Sequence, residues 1–303
     1  MSEKFALIGA EKADPTSAFT VTLMCQLLEV SSSGFYDWCA APSSERSRRR
    51  ATIATHVRAA FTAGRGSYGV RRVRQVLARS SDPQIASVSL KMVRSIMQEL
   101  DLHACQPRAY KVTTVRDATA APTITDHLRR DFTAATPGAK LVGGITYVAT
   151  WQGWLYLATV IDCHSKAVIG WAMAEHMRTE LICDAITMAA TNRDLPAGAI
   201  FHSDRGTQYP SGQFAQHLQT LHITASMGRT GVCWDNALAE SFFAALKNEL
   251  THRTAYPTRE KARQAIAEYI EVFYNRQRLH SGLGYKTPLE VTAAYQQNRS
   301  NAA

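Results

Sequence analysis

The 303-residue chain contains no CxxC pair; its cysteines, Cys25, Cys39, Cys105, Cys163, Cys183 and Cys233, are scattered along its length. That spacing excludes a disulfide scaffold and a structural zinc module, and free thiols in a reducing compartment are expected. No apolar run approaches the roughly 20 residues needed to cross a bilayer. The opening stretch, MSEKFALIGAEKADP, lacks the charged-then-apolar layout of a signal peptide. A cytoplasmic protein with no membrane partner is expected. Acidic residues are scarce in one segment: residues 46–116 hold only Asp82, Glu99 and Asp101 against fifteen Lys or Arg, a net +12. Residues 126–303 are near balance, with seventeen basic and fifteen acidic side chains. A basic segment beside a near-neutral one predicts a polyanion partner, most simply DNA.

What is present begins with helices. TVTLMCQLLEVSSSGFYDW (20–38) has a helical pattern at Val21, Met24, Leu27 and Leu28, a serine run, then Phe35, Tyr36 and Trp38. This suits the first helix and turn of a helix-turn-helix. After Ala41-Pro42-Ser43 come a basic helix (RSRRRATIATHVRAAFTAG), a second one entered through Gly69 (YGVRRVRQVLARS), and VSLKMVRSIMQELDL. Ser89 is a suitable N-cap for the last, with Leu90, Val93, Met97 and Leu100 on one face and Lys91, Arg94 and Gln98 on the other. Arg71, Arg72, Arg74, Lys91 and Arg94 are therefore candidate DNA contacts, the last helix entering a major groove. A solvated face of a helical bundle has the same pattern.

Beyond a non-periodic stretch the pattern changes to strands. LVGGITYVAT, WLYLATVID and AVIGWAMA predict an antiparallel meander. An amphipathic helix over 179–192 leads to a short buried strand, AIFHS, ending at Asp204. A strand reached through a helix is most simply parallel to an earlier one, which would set Asp204 beside residue 144. A further helix (Phe214, Leu218, Leu221) and the strand ITASM complete a mixed five-stranded sheet flanked by helices.

Candidate chemistry lies in two places. HSDRGTQY puts Asp204 at a strand end, followed by a loop with Arg205, Gly206 and Gln208; a strand end is a common active-site position and equally a common turn. In GRTGVCWDNALAESFFAALKNEL, a mobile loop over 228–235 is expected to lead through an Asp235 N-cap into a helix. Leu238, Phe242, Leu246 and Leu250 make its packing stripe. Asn236, Glu240 and Lys247 share another face, suited either to surface decoration or to a metal-bound phosphodiester. Carboxylates suit Mg²⁺ or Mn²⁺, and two such ions about 4 Å apart activate the attacking oxygen and stabilise the leaving one. Asp204 and Glu240 are separated by 35 residues.

HSDRGTQY, that gap, DNALAESFFAALKNEL and YNRQRLHSGLGYKTPLE together resemble the catalytic core of bacterial insertion-sequence transposases. The similarity is to the second-reading-frame (OrfB) product of the group related to retroviral integrases. It extends to LMCQLLEVSSSGFYDW and GSYGVRRVRQVL. The resemblance implies a ribonuclease-H-like fold and divalent-metal-dependent DNA cleavage and strand transfer of the DDE type. It makes Asp204 the second acidic ligand, Glu240 the third and Lys247 a DNA-contacting cation. The first acid belongs in a stretch usually reading Asp-Ile-Thr-Tyr. This chain reads Gly144-Ile145-Thr146-Tyr147, so Gly144 stands where the catalytic and metal-ligating aspartate is expected. Asp162 and Asp131 are the other acids near enough in sequence to be weighed as substitutes, and neither occupies the family position.

The expected organisation is a helix-turn-helix-like segment (1–43), a basic helical DNA-binding domain (44–104), a linker (105–125), an integrase-type core (126–295) and a tail (296–303). Expected partners are double-stranded DNA (the element's terminal inverted repeats and target), further copies of the chain on DNA, and the upstream-frame protein; the expected setting is a bacterial nucleoid. No long leucine heptad opens the chain, so the upstream segment is expected to be absent from it. Two functions follow: a transposase subunit impaired by Gly144, or a non-catalytic DNA-binding regulator derived from one. A ribonuclease-H-type nuclease shares the fold, but the basic N-terminal region and YNRQRLHSGLGY argue against it.

Overall fold

The computed structural model describes residues 2–40, 44–105, 124–204, 211–228 and 233–302. Most of the expected linker, the residues Arg205, Gly206 and Gln208, and positions 229–232 of the expected mobile loop lie outside the described residues. The chain forms two compact units, Met1–His56 and Val57–Ala303, with the division falling inside a helix.

The first unit holds α1 (Ser2–Ala13), α2 (Val21–Leu27), α3 (Ser32–Ala40) and the start of α4 (Glu45–Ala63). Thr20 caps α2 by accepting from the Leu23 amide. Ser31 accepts from the Gly34 amide, so the serine run opens α3 instead of forming a loop. Phe35 is fully buried among Phe5, Ile8, Met24 and Cys25. Its ring lies 6.1 Å from that of Phe5 and 6.3 Å from that of Trp38.

The second unit opens with the remainder of α4 and continues through α5 (Val70–Ala78), α6 (Pro83–Ala86) and α7 (Leu90–Glu99). Ser89 caps α7 through the Met92 amide, as its position in the sequence suggested. The buried face of α7 is Val93, Ile96 and Met97. Leu90, the first residue of α7, is exposed instead of sharing the buried face expected of it.

Next come β1 (Lys140–Thr150), β2 (Gly153–Asp162), β3 (Val168–Ala174), α8 (Thr179–Asn192), β4 (Ile200–Ser203), α9 (Gly212–Thr220) and β5 (Thr224–Met227). The sheet order is β3-β2-β1-β4-β5. The first three strands form the expected antiparallel meander, and β4 and β5 join parallel. On one face, α8 and α9 bury Ile182, Ile186, Phe214 and Leu218 against Leu141, Ala158, Val160 and Phe201. The other face carries α10 (Ala237–Leu246), which follows a 3₁₀ turn at Cys233–Asn236, and α11 (Arg259–Glu268). Ala239, Phe242 and Leu246 are the buried stripe of α10, while Leu238 and Leu250 are only half-buried. Both helices continue into π-helical turns, Lys247–Thr251 and Tyr269–Tyr274. The last helix, α12 (Pro288–Ala302), opens on a reciprocal cap: the Glu290 amide donates to Thr287 Oγ1 and the Thr287 amide to Glu290 Oε2. It runs through most of the expected tail.

A buried polar cluster ties these parts together. Arg278 donates through Nη2 to Glu249 Oε1 at 2.6 Å and through Nε to Oε2 at 2.8 Å, and the Tyr269 hydroxyl donates to Oε2 at 2.8 Å. Tyr68, just before α5, accepts from the Leu279 amide at 2.8 Å and donates to the Gln277 carbonyl at 3.2 Å. The basic helices are thereby joined to the YNRQRLHSGLGY segment inside one unit. Replacing Glu249 by Ala strands the Arg278 charge in the interior and should lower stability by about 3–5 kcal/mol. Glu268→Ala breaks only the half-exposed pair with Arg65 and should cost about 1 kcal/mol or less. Chemical denaturation of both variants checks the contrast; equal losses would refute the buried pair as the main tie.

Candidate active site

The two glycines of LVGGITYVAT point to opposite faces of the sheet, as alternation requires. A Cβ on Gly143 would fall 2.1 Å from Phe201 Cζ, inside the α8/α9 core, so only glycine fits there. A Cβ on Gly144 would point toward α10, 2.9 Å from Phe243 Cε2 and 3.4 Å from Ala239 Cβ. The obstruction at Gly144 is the ring edge of the half-buried Phe243. Packing forbids a side chain at Gly143 and at Gly144 asks one ring edge to move.

Strand pairing sets what surrounds Gly144. In the parallel β1/β4 pair Val142 lies opposite His202, so the same register carried two residues on sets Gly144 beside Asp204. Glu240 lies in the first turn of α10, next in sequence to Ala239, which faces Gly144. Burial first, and the Asp204 charge second, raise the Glu240 pKa above its ordinary value, so the two carboxylates share one neighbourhood. Across the β1/β2 ladder Gly144 faces Thr159, whose Oγ1 is buried without a hydrogen-bond partner among the described residues. Asn236 Nδ2 donates to the Gly143 carbonyl at 3.0 Å, and its Oδ1 is likewise buried and unpartnered. Among the described residues no three His, Cys, Asp or Glu side chains gather as a metal site.

Other expected residues have structural roles. Asp235 is buried and accepts from Arg130 Nε at 2.7 Å instead of capping α10, because it sits inside the 3₁₀ turn, one residue short of the cap position that Asn236 takes. Asp162 clamps a turn: Oδ1 accepts from the Gly138 and His164 amides, and Oδ2 from the Ser165 amide and hydroxyl. It pairs with Leu141, three positions from Gly144 along the ladder. Asp131 binds Lys140 at 2.7 Å. Sequence reading missed His202, which lies buried behind the site between Ser226 Oγ and the Asp235 carbonyl, both at 2.8 Å. Burial lowers its pKa, which favours the neutral ring. Its only sequence signal was its place two residues before Asp204.

Comparison with known proteins decides the family. Residues 134–233 and 221–288 match models of the integrase core domain, and residues 47–110 match an HTH-like domain. The chain is 38% identical over 287 residues to the Escherichia coli K12 transposase InsF of insertion sequence IS3A, covering 94% of this chain and 96% of that one. It is 36% identical over 274 residues to a 31 kDa protein of insertion element IS600 from Shigella sonnei, covering 90% and 99%. The chain belongs to the IS3 family of transposases. Its core has the architecture of a polynucleotidyl transferase. Among solved structures, the HTLV-2 integrase catalytic core domain in complex with magnesium aligns with a TM-score of 0.41 at 17% identity, covering 52% of this chain and 98% of that one.

The candidate DNA contacts of this transposase divide into two sets. Arg71, Lys91 and Arg94 are exposed on α5 and α7. Arg72 turns inward, 5.7 Å over the Tyr68 ring and 3.8 Å from Glu249, and Arg74 buries Nη1 without a partner among the described residues. Asn236 is engaged with β1 and buried, so its amide faces the strand instead of solvent. Lys247 lies over the Tyr147 ring at 5.1 Å, with its pKa lowered by burial. No helix among the described residues is long and apolar enough to cross a membrane.

The shared neighbourhood of the carboxylates is open to titration. Asp204→Asn should move the Glu240 pKa downward but not fully to its ordinary value, since burial is the larger cause. A carboxyl whose pKa is raised on folding destabilises the folded state as pH climbs through that pKa. Glu240→Gln should therefore stabilise the metal-free protein at neutral pH, with the gain vanishing below the ordinary value of 4.5. NMR titration and denaturation at two pH values check both; no shift on removing Asp204 would separate the carboxylates.

Proposed function

We propose that this transposase binds double-stranded DNA at the ends of its element and is impaired in cleavage and strand transfer, because Gly144 stands where a metal-ligating aspartate belongs. One observation carries the reading: Gly144 faces α10, two residues beyond the Val142–His202 pair that leads toward Asp204, and opposite a buried Thr159 hydroxyl that has no partner among the described residues. An aspartate at 144 would stand within cross-strand reach of that hydroxyl.

The residues present fit a divalent ion only in part. Asp204 and Glu240 supply two hard carboxylates, enough to hold one Mg²⁺ or Mn²⁺ alongside water and phosphate. The acid that would complete a two-ion set is missing. A bound ion supplies Lewis acidity to the phosphodiester and helps generate the attacking oxygen. The chain's own residues do the rest. Lys247 offers a cation to the strand, and Asn236 holds β1 against the start of α10. Arg71, Lys91 and Arg94 engage backbone phosphates. A basic helical domain (44–104) would grip DNA, the core (126–295) would act on it, and further copies of the chain with the upstream-frame protein would complete the assembly near the nucleoid.

A second reading, a non-catalytic DNA-binding regulator, is favoured by Phe243, whose ring edge already occupies part of the space an aspartate would need.

Gly144→Asp should restore Mg²⁺- or Mn²⁺-dependent nicking and joining by roughly a thousandfold or more, given the right DNA ends and any upstream partner. Gly144→Ala should not, because it supplies no ligand. Phe243→Ala beside Gly144→Asp should do no worse than Gly144→Asp alone. Strong metal-dependent cleavage by the unaltered chain would refute the impairment.

Replacing Arg71, Lys91 and Arg94 by Ala should flatten the slope of log affinity against log salt by roughly two to three units. Anisotropy titrations across a salt series measure it; an unchanged slope would show that these cations are only a solvated face.

A further inference from the structure

The end of the β1–β2 hairpin carries a group of exposed aromatic rings that the chemistry above does not use. Tyr147 is 45% exposed, Trp154 50% and Trp151 77%. Tyr147 and Trp154 meet edge to face, with ring centroids 4.9 Å apart. Lys247 Nζ stands 5.1 Å from the Tyr147 centroid. Tyr147 lies three residues beyond Gly144 on β1, a step that turns its ring to the other face of the sheet. The Lys247 contact, seven residues beyond Glu240 along the same helical run, joins the rings to the side that carries the carboxylate. Aromatic faces next to a cation, within a short reach of a phosphodiester site, are the ingredients of single-strand binding: the rings stack bases and the cation follows the backbone.

We propose that Tyr147 and Trp154, with Lys247, form a stacking platform for an unpaired base of the DNA strand whose phosphodiester is presented to Asp204 and Glu240. This rests on the DNA-end reading above but not on catalysis, since stacking requires no ion and no residue at 144. The occupant is a nucleobase rather than an apolar peptide, because Lys247 places a cation at the ring face where the backbone of a stacked nucleotide would pass. Trp154 and Trp151 keep half or more of their surface exposed, which offers a base a ring to stack on.

The test uses the full chain and two probes: a blunt duplex, and the same duplex with a short single-stranded overhang carrying a fluorescent adenine analogue whose emission falls on stacking. The overhang probe should bind more tightly than the blunt one and be quenched. Tyr147→Leu with Trp154→Leu should abolish quenching and weaken overhang binding roughly fivefold to a hundredfold, leaving blunt-duplex affinity unchanged. Tyr147→Phe with Trp154→Phe keeps the ring faces and should retain both effects, which separates stacking from a folding defect. An unquenched overhang beside normal blunt binding would overturn the platform and leave the DNA-binding reading standing. Failure to bind either probe would overturn both. If the Leu variant changes only self-association in sedimentation, the rings are a chain-to-chain contact and the platform is refuted.

Discussion

The parallel pairing of β1 with β4 is the constraint on which the rest of the site depends. It is a short ladder, ending at Val142 and His202, yet it directs the strand end that leads to Asp204 toward Gly144, while Gly143 turns into the α8/α9 core. A shift of one residue would exchange the faces of the two glycines. A shift that moved Val142 into the place of Gly143 would put a Cβ inside the Phe201 ring, so the fit at Gly143 opposes slippage in that direction. The register is thus held by packing on one face and read out as chemistry on the other.

A second constraint governs the helices. Glu249 lies in the π-helical turn that continues α10, and it gathers Arg278 and Tyr269 around it. Tyr68 reaches the backbone at Gln277 and Leu279 in the same region, and Arg79 binds both Glu290 and the Tyr285 carbonyl. The helix bearing Glu240 and the loop leading into the basic helices are therefore anchored to one neighbourhood. Buried ion pairs of this kind contribute little net stability over an apolar replacement, but losing one partner is costly. That asymmetry suits a joint whose geometry matters more than its strength.

Local features of this transposase were legible without a structure. The meander, the helix over 179–192, the Ser89 cap and the exposed positions of Lys91 and Arg94 each follow from short-range periodicity or capping chemistry. So did the motif spacing around Asp204 and Glu240 and the anomaly at Gly144, because these are matters of residue identity. Where local signals misled, a distant element was the cause. Asp235 was drawn to Arg130, and Asn236 was drawn to the Gly143 carbonyl.

The sequence by itself determined the family and most of the elements, and it singled out Asp204 and Glu240 as candidates, since those reside in patterns spanning a few tens of residues. Only the tertiary structure decided that a side chain at Gly143 would enter the Phe201 ring while one at Gly144 would meet the edge of Phe243, that Arg72 turns inward toward Glu249 while Arg71 stays outside, and that Thr159 stands opposite Gly144. The physical reason is that strand register and burial arise between segments far apart in the chain. A residue's neighbours across a sheet, unlike those along a helix, leave no periodic trace in its own sequence.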